Sequence, residues 1–406
     1  MLATGGKIFI ANALTCALLT IGCVLALKYS AAPFGWLGLA GFVFCLQLCV
    51  AFKHALLRNT ALMAAFAILP LAIVEFFLVW QNPAITWATY EPSRSMFQLS
   101  DDLGYGPLIS TKVHATRHHE ESLLYDTWYS IDDHGLRITP DNSGSDSDKC
   151  LLFFGGSFTF GEGVADFEST PNRVAQYTRG EYRIFNFGFP GYGPHQMLSA
   201  LERSLVKQVA SSCKQVHAIY SGLTQHVGRA AGLAQWDVHG PKFILGENGS
   251  ALNSGYFDTG QSRITRQWHK QIRKSRIYGK LFPLRVGGPY TQNEIDLYTA
   301  IVTSARLALE TQFGADTKFT VVFWHPMFHE RNTTAFDQIL KAFRQRNVVP
   351  YIIDDQVLVG DDPLQYIISQ YDEHPNAIAH ENVADFLTQA LELKIAPLVL
   401  EQTAAN

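Results

Sequence analysis

The sequence predicts a membrane anchor of three helices followed by a doubly wound α/β domain with a parallel sheet, and three observations carry that reading. Ile8 to Leu27, Tyr29 to Phe52 and Asn59 to Gln81 hold a single ionised side chain among them, Glu75, and each is longer than the roughly 18 apolar residues of a spanning helix. From residue 150 onward, short apolar runs alternate with helical stretches, the pattern of a parallel sheet covered on both faces. The turns that follow those runs are rich in glycine and carry polar side chains, where open α/β sheets bind their ligands.

Composition sets the frame. The 406 residues leave room for two or three domains. The chain is 47% hydrophobic and 17% charged, too polar to be membrane throughout, and its apolar excess is concentrated in residues 1–81, the anchor. A net charge of -4 with no basic stripe excludes nucleic acid as a partner. Lys7 precedes the first run, Lys28 follows it, and Lys53 and Arg58 lie between the second and third. The positive-inside rule then places the N-terminus and the second loop in the cytoplasm and everything after Trp80 on the outer face. The expected location is a plasma membrane, multi-pass, with the C-terminal domain periplasmic in a Gram-negative cell or extracellular otherwise. The first run exceeds the 7 to 15 residues typical of a signal-peptide core, so it reads as a retained helix. Glu75 lies about one and a half turns before Trp80, where it can snorkel or meet a partner at the interface.

Residues 82–149 read as a linker and N-terminal extension of the soluble domain, and 150–395 as that domain. Strands are predicted at Leu151–Phe154, Tyr182–Phe187, Val216–Tyr220, Phe319–Trp324 and Val349–Ile353. Helices are predicted at Thr170–Thr178, Pro194–Gln208, Glu294–Gln312, Ala335–Arg346 and Asn376–Leu393. Residues 228–290, with many glycines and little periodicity, read as an insertion beside the site.

After the first strand comes Gly155-Gly156-Ser157-Phe158-Thr159-Phe160-Gly161-Glu162-Gly163. Paired glycines let the chain turn tightly and present Ser157 at a helix start. The segment matches neither the Gly-x-Ser-x-Gly elbow nor a phosphate loop. Pro190-Gly191-Tyr192-Gly193 follows the second strand, and Gly222-Leu223-Thr224-Gln225-His226-Val227-Gly228-Arg229 the third. Asp372-Glu373-His374-Pro375-Asn376 stands ahead of the last helix, a candidate base beside a carboxylate.

In this order, these four segments resemble the SGNH, or GDSL-like, hydrolase family, over roughly residues 150–390; the Ser-Phe-Thr-Phe-Gly-Glu-Gly, Pro-Gly-Tyr-Gly and His-Pro-Asn runs resemble its membrane-anchored bacterial branch. The resemblance implies a flavodoxin-like three-layer α/β/α domain. It implies Ser157 as nucleophile, His374 as base and Asp372 as its orienting acid. Ser157, Gly191 and Gln225 would form the oxyanion hole, with His226 a rival donor and Arg229 lining the site. The sequence departs from the family at three places: Gly156 stands for the usual Asp, Gln225 for an Asn, and Asp372-x-His374 for Asp-x-x-His. Glu373, Asp354 and Asp355 are therefore alternative orienting carboxylates.

The expected chemistry is acyl transfer through an acyl-serine, without cofactor or metal; His325 and His329, split by Pro326, do not read as a metal pair. With water as acceptor the protein is an esterase acting on acylated envelope carbohydrate or lipid, O-acetyl groups foremost. With a sugar hydroxyl it is an O-acyltransferase that needs a multi-span partner. A non-catalytic glycan-binding or scaffold role is the third expectation. Finally, in a sheet of strand order 2-1-3-4-5 the first and third strands are neighbours, so Cys150 and Cys213 fall at the same end of adjacent strands and a disulfide between them is expected in an oxidising compartment.

Overall fold

The computed structural model describes residues 21–22, 32–81, 88–93, 95–139, 147–260, 262, 271–282, 285–326, 333–359 and 362–393. The chain divides into two compact units: Met1–Ile85 with Gly260–Leu284, and Thr86–Thr259 with Arg285–Asn406.

In the first unit, helices Pro33–Ala51 and Ala55–Gln81 are each long and apolar enough to cross a membrane. They account for the second and third expected spans; the first, 8–27, lies outside the described residues apart from Ile21 and Gly22. The longer helix starts four residues before the predicted Asn59 and takes in Arg58, whose N–H donates to His54 O. Backbone bonding continues through a charge that an apolar-run criterion stops at. The two helices approach closely because Gly38 has no side chain: a Cβ there would lie 2.8 Å from that of Ala72. Glu75 is buried and has a defined partner. Its carboxylate accepts from the N–H groups of Arg276 (2.6 Å) and Ile277 (3.0 Å) and from Ser275 Oγ (3.0 Å), at the start of helix Arg276–Leu281. First-turn N–H groups have no intrahelical acceptor, so a carboxylate withdrawn from water and a helix start satisfy each other.

The second unit opens with five antiparallel strands, β1 (Thr89–Glu91), β2 (Phe97–Ser100), β3 (Gly104–Pro107), β4 (Thr111–His119) and β5 (Ser122–Ile131). They occupy the segment expected as linker and extension. Then come β6 (Lys149–Gly155), β7 (Arg183–Asn186), β8 (Gln215–Gly222), β9 (Pro241–Leu245), β10 (Ala251–Tyr256), β11 (Lys318–Trp324), β12 (Tyr351–Ile353), β13 (Ile367–Ser369) and β14 (Asp372–Pro375). Five of them form a parallel sheet in the order β12-β11-β8-β6-β7. Counted along that sheet, this is the expected 2-1-3-4-5.

The continuous apolar run of β6 follows from burial on both faces. Leu152 and Phe154 point into the core under helices Pro194–Glu202 and Gln292–Phe313, while Leu151 and Phe153 point into the core under Thr170–Thr178 and Ala377–Ala390. The predicted helix Pro194–Gln208 breaks at Ser204, whose φ of 59° is left-handed, and resumes as Leu205–Val209. The predicted fifth strand loses its first two residues, since Pro350 has no N–H to give a ladder. The edge strand β7 is capped by an antiparallel bridge from Asn186 to Arg137, which ties the N-terminal strands to the sheet. Within the expected insertion, β9 and β10 form a hairpin.

Cys150, in β6, and Cys213, just before β8, form a disulfide with Cα atoms 5.8 Å apart. At a sequence separation of 63, the chain-entropy account assigns it about 4 kcal/mol. We expect Cys150→Ala/Cys213→Ala to lower the unfolding free energy of the full chain by about 2–4 kcal/mol in urea titration. A loss below about 0.5 kcal/mol would show that the bridge does not constrain the unfolded chain.

Candidate active site

The four sequence blocks converge beyond the carboxyl ends of the strands. At the end of β6 the chain passes at Gly155 so close to its surroundings that a Cβ would lie 2.1 Å from Thr159 Oγ1, then enters the short helix Ser157–Phe160. Gly156, where the SGNH family that the sequence resembles carries Asp, has no room for a side chain. A Cβ there would meet Arg229 Nη1 at 2.7 Å and His226 Nε2 at 3.1 Å. The departure is therefore structural: the Arg229 guanidinium fills the space.

Ser157 Oγ lies 2.9 Å from His374 Nε2, and Asp372 Oδ1 lies 2.5 Å from His374 Nδ1. The shortened Asp-x-His spacing works because both residues are on strand β14, where positions i and i+2 share a face. Asp372, not Glu373, Asp354 or Asp355, is the carboxylate on the imidazole. A carboxylate only accepts, so Nδ1 carries the proton and Nε2 of the neutral ring is free to accept from Ser157. Arg117, from β4, donates through Nη1 to Asp372 Oδ2 at 2.9 Å and stands 3.8 Å from Glu162 Oε1. Burial would raise the Asp372 carboxyl, but the His374 hydrogen bond and charge, with Arg117, hold it below the usual carboxylate range. For His374 burial pulls downward and is outweighed by Glu162 and Asp372, which raise it above an ordinary histidine.

Two arginines from outside the sheet fix the loops around this pair. Arg137 is wholly buried, and its Nη1 donates to Phe160 O and Gly161 O, its Nη2 to Val164 O and its Nε to Asp166. It caps the carbonyl end of the Ser157 helix and packs against the rings of Tyr129 and Phe160. Across the crevice, three consecutive carbonyls of the second block accept side-chain bonds: Pro190 O from Tyr105 Oη (2.9 Å), Gly191 O from Trp236 Nε1 (3.2 Å) and Tyr192 O from Arg229 Nη1 (2.6 Å). Gly191 has a φ of 81°, and a Cβ on it would strike Tyr105 Oη at 2.5 Å. Its N–H has no acceptor among the described residues.

Gln225 opens the helix Gln225–Ala230, and its Oε1 accepts from the Thr224 hydroxyl at 3.1 Å. Both line a cavity of about 60 Å³ with Phe158, Trp324 and Glu373. His226 points inward instead: it is buried, Nδ1 faces Tyr220 Oη at 2.7 Å, and burial with the neighbouring Arg229 keeps it neutral. His325 donates its backbone N–H to Ile353 O, and His329 lies outside the described residues. Arg117, Arg137, Tyr105, Trp236 and Glu162 escape the sequence reading. Only Glu162 carries a signal there, inside the glycine-flanked run after Ser157.

No family model matches the chain, and no curated protein matches it. Among solved structures, a member of the lipolytic protein G-D-S-L family from Veillonella parvula is 11% identical, covering 60% of this chain and 98% of its own, with a TM-score of 0.32. A psychrotrophic esterase from a Pseudoalteromonas species is 11% identical, covering 60% and 99%, with a TM-score of 0.32. A lipase from a goat rumen metagenome is 15% identical, covering 60% and 97%, with a TM-score of 0.36.

Removing the buried Arg137 cation would take the ion partner from Asp166 and a donor from each of three carbonyls. Arg137→Met is expected to cost about 3–5 kcal/mol of stability, read by urea unfolding. A cost under about 1 kcal/mol would mean that water replaces the guanidinium without loss.

Proposed function

We propose that this chain is a membrane-anchored serine esterase of the SGNH type. The observation that carries the reading is the Ser157–His374–Asp372 relay, with contacts of 2.9 and 2.5 Å, and the N–H of Gly191, which has no acceptor among the described residues, supports it as an oxyanion donor. Ser157 Oγ attacks an ester carbonyl as its proton passes to His374 Nε2. Asp372 holds the imidazolium through Nδ1. The N–H groups of Ser157 and Gly191, with the Gln225 amide as a third donor, receive the oxyanion. Collapse expels the alcohol, which takes the proton from Nε2 and leaves an acyl-serine. Water, deprotonated by His374, then releases the acid.

The small cavity lined by Phe158 and Trp324 supports a short acyl group such as acetyl, and Phe158 stacks edge-on against the His374 ring at 5.6 Å. The two apolar helices support anchoring to a membrane, and the disulfide fits an oxidising compartment. The substrate class that suits both is an O-acylated glycan or lipid of the cell envelope, met on the outer face of the inner membrane.

The reading is tested with p-nitrophenyl acetate and a serine-directed fluorophosphonate on the full chain in detergent. Ser157→Ala and His374→Ala should each lower kcat/KM at least 1,000-fold, on the order expected when a triad member is lost, and Ser157→Ala should abolish labelling. Activity within tenfold of the parent in either variant would remove the assignment. The pH profile has a fixed sign. His374 acts as base only when neutral and its pKa is raised, so kcat/KM should climb with pH through a midpoint above about 6.5, the ordinary histidine value. A midpoint below that would contradict the charge arrangement around the ring.

A further inference from the structure

The relay uses one carboxylate, yet a second one stands at the same imidazole. Glu162 Oε2 is 3.4 Å from His374 Nε2, the nitrogen that faces Ser157, while Asp372 occupies Nδ1. Arg117 faces both acids, at 2.9 Å from Asp372 and 3.8 Å from Glu162. Glu162 does not reach this place by chance of a loose loop. Its N–H donates to Ser157 O, and Arg137 secures the carbonyls on either side, at Gly161 and Val164. Its side chain is largely shielded from water, at 13% exposure, among Tyr90, Tyr125 and Tyr129, each of whose hydroxyls is made harder to ionise by burial first and by Glu162 next or close behind.

Charge balance shows what this arrangement favours. With a neutral imidazole the quartet Arg117, Asp372, Glu162 and His374 carries one net negative charge; with an imidazolium it is neutral. A proton arriving on Nε2 therefore gains a second carboxylate partner that the neutral ring, with a lone pair at Nε2, does not have. We propose that Glu162 is a positioning residue that stabilises His374 in the protonated state formed when Ser157 is activated. Apart from Asp372 at Nδ1, the other ionisable groups bearing on the ring do not supply this stabilisation. Arg117 opposes protonation, and His380, buried behind the site with its pKa lowered to about 3, stays neutral.

The inference rests on the esterase reading, and its test separates the two. In ¹⁵N-histidine-labelled full chain in detergent, the His374 titration is followed by NMR in the parent and in Glu162→Gln, which keeps the shape and removes the charge. The midpoint should fall by about one pH unit, and the acid limb of fluorophosphonate labelling should shift down with it. At alkaline pH labelling should slow by about tenfold, the same unit of differential stabilisation read as a rate. Glu162→Asp should recover part of both. An unchanged His374 midpoint in a folded Glu162→Gln protein overturns the coupling. A shifted midpoint with an unaltered labelling profile overturns its role in activating Ser157. If the parent neither labels nor hydrolyses any ester, the esterase reading fails while the NMR midpoint still decides the coupling.

Discussion

A 2.9 Å hydrogen bond joins two side chains 217 residues apart in sequence, and the rest of the second unit is arranged so that it can form. One end, Ser157, is delivered by β6, an interior strand of the sheet between β8 and β7, which is buried on both faces and cross-linked near its start to Cys213, just before β8. The other end, His374, comes from a two-stranded hairpin outside the sheet. Such a hairpin has little stability of its own, so its position depends on what holds it. Arg117 reaches from β4 to Asp372 two residues away, and Asn376, just beyond, caps the helix Ala377–Ala390 that packs on the sheet.

The N-terminal strands thus work as a clamp. Arg137 grips the loop after Ser157, Arg117 the carboxylate of Asp372, and Tyr105 the loop that carries Gly191. A buried guanidinium is costly to desolvate unless each of its nitrogens finds an acceptor. Arg137 meets that requirement by taking up the carbonyls a short helix leaves open at its end. Desolvation and loop order are two sides of one arrangement: the charge needs those carbonyls fixed, and the placement of Ser157 needs them fixed as well.

What the sequence made legible follows from how local the signal is. The run of β6 is apolar without alternation because both faces are buried, and the runs Val216–Tyr220 and Phe319–Trp324 are interrupted only by His217 and Thr320, which bond each other. The strand positions follow from these runs, while the strand order, with the Cys150–Cys213 bridge that depends on it, and the pairing of Ser157 with His374 are what the resemblance to the SGNH family implies. The Asp-x-His spacing looked irregular only because it was compared with a different local geometry; on a strand it is the spacing that puts the two side chains on one face. The positions of Arg117, Arg137 and Trp236 depend on antiparallel pairing and on long-range packing, which leave no periodic trace in a polar segment. Gly156 read as a loss because the side chain that displaces an Asp, Arg229, lies 73 positions further along the chain. Glu75 was visible as an anomaly, but its partner, a helix start 201 residues away, was not.

The central claim is that Ser157 becomes acylated because His374 and Asp372 hold it ready. The most direct measurement is rapid quench of the full chain with a short-chain activated ester, followed by peptide mapping by mass spectrometry. The account predicts an acyl group on the peptide containing Ser157, accumulating before steady state. Acyl groups confined to other side chains, or ester turnover at the parent rate with Ser157 never modified, would contradict it.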